Sequence, residues 1–170
     1  MLILTGLALL LEIFAHVFIS LATSAGYWLY FLEPKMISYM AHVTQLCDIG
    51  GFLFGKFMGK TPFAQRISPK KTMEGLFGCM LFAVLISLLF YVIGENFENN
   101  PLCLRLPLWD YVSLGFICGA LAILGDLIES FLKRCADMKD SGTGLASHGG
   151  FFDRIDSMLL AMPFLLWYTL

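Results

Sequence analysis

Apolar residues run along this chain in five long blocks separated by short polar segments, and the block lengths predict membrane-crossing helices. A transmembrane helix needs about 20 mostly apolar residues. The first block, Leu2 to Leu32, is long enough for one tilted span with an interfacial end. Within it Glu12 and His16 stand four residues apart, which places them on one helix face, expected to turn away from lipid. A second helix is predicted after Pro34, from Lys35 to about Met58, carrying His42, Gln45 and Asp48. The third, Glu74 to Ile93, has no charge after Glu74. The fourth begins near Leu108 and continues through Gly125 and Asp126 into a polar segment. The fifth, Ile155 to Leu170, is short and contains Pro163. The expected fold class is all-α, a polytopic membrane helical bundle of about five spans with two polar loops. It is expected to form a single membrane-embedded domain over residues 1–170.

Composition agrees with that pattern. The 170 residues are 58% hydrophobic and 14% charged, against about 45–50% and about 25% in a soluble domain. Five cysteines show no C-x-x-C spacing and mostly fall in apolar runs, so they read as small buried hydrophobes. The first apolar run is too long for a signal-peptide core and has no small-x-small cleavage site after it.

The net charge of −2 says little; its distribution says more. Lys56, Lys60, Arg66, Lys70 and Lys71 lie between spans two and three, and Lys133, Arg134, Lys139 and Arg154 between spans four and five. Two crossings separate these loops, so they emerge on one side. That side holds nine of the eleven basic residues, and the positive-inside rule makes it cytoplasmic. Membrane lipids are the expected surroundings, and no nucleic-acid partner is expected.

The segment from Ser130 to Ser157 is polar, charged and glycine-rich in an otherwise apolar chain. Charges beside apolar spans are costly and are kept mainly where they function. Here opposite charges alternate closely, as a site for a metal and a polyphosphate requires. Asp126, Glu129 and Lys133 fall on one helix stripe, with Arg134 beside them. Glu129 and Lys133 also suit a plain salt bridge. Asp126 follows the apolar run Ala120–Gly125, needs a cation, and is a candidate metal ligand.

Asp153 and Asp156 stand three apart at the predicted start of the last helix, where acids also serve as caps. For Asp156 the cap is the reading adopted; for Asp153 the preceding His148-Gly149-Gly150 favours a ligand role. Paired glycines let a backbone approach a phosphate. His148 could be a phosphate ligand, a general acid or a turn-stabilising side chain.

In the other loop, Ser68-Pro69-Lys70-Lys71-Thr72 precedes a helix, placing hydroxyls, ammonium groups and helix N–H donors where a polyphosphate would want them. Interfacial lysines reaching headgroups are the alternative, and Thr72 could also cap the helix. No G-x-x-x-x-G-K-[ST] is present, so this is no P-loop. Asp48 lies beside Gly50, Gly51, Gly55 and Gly59, a small-residue stripe suited to close helix packing. Packing does not explain the carboxylate, a candidate substrate or second-metal contact.

Taken together, Ser130-x-Leu132-Lys133-Arg134, Lys139-Asp140 and His148-Gly149-Gly150-Phe151-x-Asp153-Arg154-Ile155-Asp156-Ser157 closely resemble the signature of the phosphatidate cytidylyltransferase, or CDP-diacylglycerol synthase, family. Gly125-Asp126-Leu127-x-Glu129-Ser130, Ser68-Pro69-Lys70-Lys71-Thr72-x-Glu74-Gly75 and Asp48 with Gly55-Lys56 and Gly59-Lys60 match its other landmarks, from Asp48 to the C-terminus. The resemblance implies transfer of CMP from CTP to phosphatidic acid, giving CDP-diacylglycerol and pyrophosphate. It implies metal ligands at Asp126 and Asp153, with Mg²⁺ the expected ion and room for a second. It puts Lys139, Asp140 and His148 in the catalytic set. Ser68, Lys70, Lys71, Thr72, Lys133, Arg134, Arg154 and Asp48 are expected to bind substrate.

Two features depart from the family. Ala146-Ser147 stands where members usually have Pro-Gly, and members usually carry several more N-terminal spans. The expectation is therefore a fragment, a minimal member or half of a split enzyme, alone or as a homo-oligomer. Rival readings are a related CTP-using lipid transferase or polyprenol kinase, and an ion-coupled transporter using Glu12, Asp48 and Asp126.

Overall fold

The computed structural model describes residues 2–96, 104–138 and 152–170. Lys139, Asp140 and His148 lie outside them, as do the side chains of Asp153 and Arg154. Six helices follow in order: α1 (Leu2–Leu32), α2 (Pro34–Met58), α3 (Met73–Asn96), α4 (Leu108–Cys135), α5 (Phe152–Leu159) and α6 (Ala161–Thr169). No strand occurs among the described residues, and the helical membrane bundle expected from the apolar pattern is what forms.

Among the described residues three helices are both long and apolar enough to cross a membrane: Thr5–Leu32 of α1, Met73–Asn96 and Leu108–Cys135. Helix α2 has the length, at 25 residues, but carries polar side chains and glycines along one side. The fifth predicted span is an apolar helical stretch, Ile155–Thr169, shorter than a membrane crossing and interrupted at Leu160, where α5 gives way to α6. Pro163 explains the break. It has no N–H to donate to the Leu159 carbonyl four residues back, and its ring crowds that carbonyl.

Only Glu33 separates α1 from α2, where the Met36 N–H donates to the Glu33 carbonyl at 2.9 Å. Pro34 occupies the first helical position, which suits its fixed φ and missing donor. Helix α1 packs mainly against α6 through its second half, with Ala22 and Leu29 buried. Its first half turns Leu7, Leu9 and Leu10 outward, an apolar surface matched to lipid. Glu12 borders a cavity between α1 and the end of α4 that Glu129 and Lys133 also line, but His16 is exposed rather than turned to it. Instead His16 Nδ1 lies 2.8 Å from the Glu12 carbonyl.

The closest helix pair is α2 with α3. They cross on glycine: a Cβ built on Gly78 would lie 2.5 Å from the Gly50 carbonyl oxygen, and one on Gly50 the same distance from that of Gly78. The spacing read from the sequence as a packing stripe therefore acts as one. Deeper in the bundle, the Tyr39 hydroxyl and Ser87 Oγ pair at 2.6 Å, and Ser87 Oγ also reaches the Tyr111 carbonyl. Buried polar groups in lipid need such partners, and these three cross-link α2, α3 and α4.

Helix α4 stops cleanly at the polar end. Asp137 takes a left-handed φ of 54°. The Met138 N–H then donates to the Lys133 carbonyl at 2.8 Å and the Asp137 N–H to that of Arg134 at 3.2 Å. This is a Schellman closure with aspartate where glycine is usual.

Candidate active site

The C-terminal end of α2, the N-terminal end of α3 and the C-terminal end of α4 meet at one end of the bundle. Arg134 joins the two polar loops there, its Nε donating to the Ile67 carbonyl at 3.2 Å. The convergence inferred from counting spans and charges is thus present. Arg134, expected as a phosphate clamp, is committed by its Nε to holding a loop.

At this end lies a cavity of about 230 Å³ bordered by Asp48, Gly51, Gly55, Lys70, Lys71, Thr72 and Asp126 among others. Each side chain arrives for a local reason. Asp48 projects from α2 one turn before Gly51, where the glycines bring α3 close. Lys71 sits in a short antiparallel pairing, bridging Pro62 and Thr72. The Phe63 N–H donates to the Lys71 carbonyl at 2.7 Å, and the Met73 N–H to that of Thr61 at 2.9 Å. Thr72 Oγ1 accepts from the Gly75 N–H at 3.1 Å, capping α3 as its position suggested. Lys70 is exposed at the cavity edge, and Ser68 contributes turn hydrogen bonds through its backbone, accepting from the Lys71 N–H at 3.2 Å.

Lys71 Nζ lies 2.6 Å from Asp126 Oδ2, with side chains 21% and 31% exposed. Asp126 Oδ1 accepts from Ser130 Oγ one turn later, at 3.3 Å. Helix α5 closes the other side. Ser157 Oγ lies 2.8 Å from Asp48 Oδ2 and 3.1 Å from Asp156 Oδ1. A hydroxyl has one proton, so it donates to only one of them at a time. Asp156 Oδ1 also accepts from the Ser157 N–H at 2.7 Å. Asp126 lies within electrostatic reach of both Asp48 and Asp156.

Asp156 is the residue the sequence reading undervalued. Its role as a helix cap is corrected: it is the fifth residue of α5, 8% exposed, and tied through Ser157 to Asp48 on α2. The Asp153–Asp156 spacing was the available signal, since both belong to one face of α5. Gly125 makes the approach of α5 possible, because a Cβ there would strike the Asp156 carbonyl oxygen.

Asp126 and Asp48 thus face Lys71, while Asp156, tied to Asp48 through Ser157, lies within electrostatic reach of Lys133. Lys133, paired with Glu129 in the i, i+4 bridge that the spacing allowed, also acts on Asp156 through its charge. Among the described residues no three His, Cys, Asp or Glu side chains are arranged to hold a metal ion by themselves. The oxygen donors nevertheless fit Mg²⁺, which keeps waters and substrate phosphates in its shell and needs only one or two carboxylates.

The model of the cytidylyltransferase family matches residues 3–170. The chain belongs to that family. Curated relatives carry the name phosphatidate cytidylyltransferase. The protein from Chlamydia muridarum is 36% identical over 165 residues, covering 94% of this chain and 52% of its own length. The Bacillus subtilis protein is 37% identical over 129 residues, covering 76% and 45%. That of Synechocystis is 40% identical over 124 residues, covering 72% and 39%. The chain therefore spans about half the length of the curated relatives it matches.

Proposed function

We propose that this chain carries the transfer of CMP from CTP to phosphatidic acid, yielding CDP-diacylglycerol and pyrophosphate. The observation that carries the reading is the meeting of Asp48, Asp126 and Lys71 around one cavity at the end of apolar helices, with Asp156 tied to Asp48 through Ser157. A lipid phosphate held at that depth and a nucleotide arriving from water can meet there. The names of the relatives supply the substrates.

In this mechanism a phosphatidate oxygen attacks the α-phosphorus of CTP in line. The new P–O bond forms as the bond to pyrophosphate breaks, and the leaving group carries away the electron pair. The nucleophile is already an anion, so no protein base is required. Positioning and charge neutralisation dominate such transfers. Lys71 and Lys70 face the phosphates, Thr72 and the first turn of α3 present hydrogen-bonding groups, and Arg134 keeps the two loops together. Asp126 and Asp153 would hold Mg²⁺, with Asp48 and Asp156 completing the acidic wall. When bound, the ion supplies charge neutralisation at the phosphate oxygens.

The test is label transfer by the purified chain in detergent with phosphatidic acid and Mg²⁺. Label from the α-phosphate of CTP should enter the lipid with stoichiometric pyrophosphate release. Label entering only from the γ-phosphate would make the chain a lipid kinase and overturn the reading. The basic loops support a cytoplasmic site under the positive-inside rule. A cysteine at position 143 should then resist impermeant reagents in intact cells while one at 99 reacts. The reverse pattern refutes the orientation.

A further inference from the structure

Glu74 has no place in the chemistry described above, yet its carboxylate is among the most heavily engaged in the molecule. It stands at the second position of α3. Its Oε2 accepts from the Lys60 N–H at 3.1 Å and its Oε1 from the Thr61 hydroxyl at 2.9 Å. The Thr61 N–H lies 3.2 Å from both oxygens. An acid in a first turn gains from the helix dipole without leaving its own helix. This one reaches back 13 and 14 residues to the far side of the α2–α3 loop.

What it grips is the segment that pairs with Lys71. Residues 61–63 pair with 71–73, so the loop is a closed ring with Lys71 on one side and the Glu74 contacts on the other. Ala64, inside the ring, sits at a φ of 55°, which a non-glycine residue adopts only when its surroundings impose it. Without the carboxylate, the 60–61 backbone loses its anchor and the pairing loses one edge.

We propose that Glu74 is a positioning residue for Lys71: it clamps residues 60–61 and so holds the Lys71 ammonium opposite Asp126. The function assigned to Lys71 rests on the reading above; the clamp itself does not. Glu74 touches neither substrate nor Asp126, and acts only through the loop.

The experiment measures acylation of lysines by a water-soluble amine reagent, resolved by mass spectrometry on the folded protein in detergent. In Glu74→Ala, Lys71 should react about fivefold faster than in the parent, as expected when a partly exposed ion pair is loosened. Lys35, at the other end of α2, serves as the control and should not change. Glu74→Gln keeps one accepting oxygen and should give an intermediate rate. If Glu74→Ala does not accumulate as folded protein, Glu74→Gln carries the test alone: an intermediate Lys71 rate supports the clamp. An unchanged Lys71 rate in the folded variant overturns it. A second arm uses turnover: Glu74→Ala should raise the KM for CTP, and on a Lys71→Ala background should add almost nothing, because residues acting as one unit are non-additive. Losses that multiply would overturn the proposal. Altered labelling in a chain with no CTP turnover would sink the proposed function and leave the clamp standing.

Discussion

Gly78→Ala tests the claim that the bundle end is shaped by backbone contact between α2 and α3. The added Cβ would lie 2.5 Å from the Gly50 carbonyl oxygen and 2.6 and 2.7 Å from Phe54 Cβ and Cγ, where ordinary contact begins at 3.4 Å. None of these atoms is the free end of a flexible side chain. The helices must therefore part by about 1 Å, since the repulsive wall is steep at such distances. Overpacking of this kind costs about 1–3 kcal/mol, and contacts this rigid point to the upper half of that range. Gly50→Ala meets the Gly78 oxygen at the same 2.5 Å, so one displacement serves both substitutions. The double variant should then lose less than the sum of the singles.

The measurement is reversible unfolding in mixed micelles, followed by circular dichroism, with Gly6→Ala as the control. Gly6 has nothing within 4 Å of its built Cβ, and its substitution should be neutral or slightly stabilising. Activity should suffer more than stability in Gly78→Ala, because Asp48 is two residues from Gly50 and moves away from Lys71 and Asp126 as the helices part. If Gly78→Ala unfolds within about 0.5 kcal/mol of the parent, the crossing is not held by direct backbone contact and the argument fails.

Two further outcomes follow from the polar contacts. Lys71→Met frees Asp126 Oδ2 and removes a positive charge beside Asp126 and Asp48. Mn²⁺ binding, read by electron paramagnetic resonance without nucleotide, should tighten about three- to tenfold; weaker binding would show that Lys71 does not compete for that oxygen. Ser87→Ala should cost about 1–3 kcal/mol, because it strands the buried Tyr39 hydroxyl. Adding Tyr39→Phe should recover part of the loss, and no recovery would mean that packing rather than the orphaned hydroxyl carries the cost.

What the sequence made legible was whatever depends on neighbours along a helix. The α1–α2 boundary at Pro34, the start of α3 beside Glu74, the uninterrupted α4 and the Glu129–Lys133 bridge are all local. So was the pairing of Asp126 with some cation, because a carboxylate beyond an apolar run cannot stand alone cheaply. The break at Leu160 was also local, yet a run averaged for hydropathy hides the single N–H that Pro163 removes. Contacts between distant segments left no such trace. The charge of Arg134 suggested a phosphate partner, but nothing in the sequence foretold that its Nε also binds the Ile67 carbonyl, 67 residues away. Asp156 was assigned to its own helix end, while its neighbour Ser157 reaches Asp48 across 109 residues. Charge and spacing can tell which groups need partners; only the crossing of α2 and α3 on glycine and the approach of α5 over Gly125 decide which partners they meet. That is why residues with almost no chemistry of their own determine where the acidic ones converge.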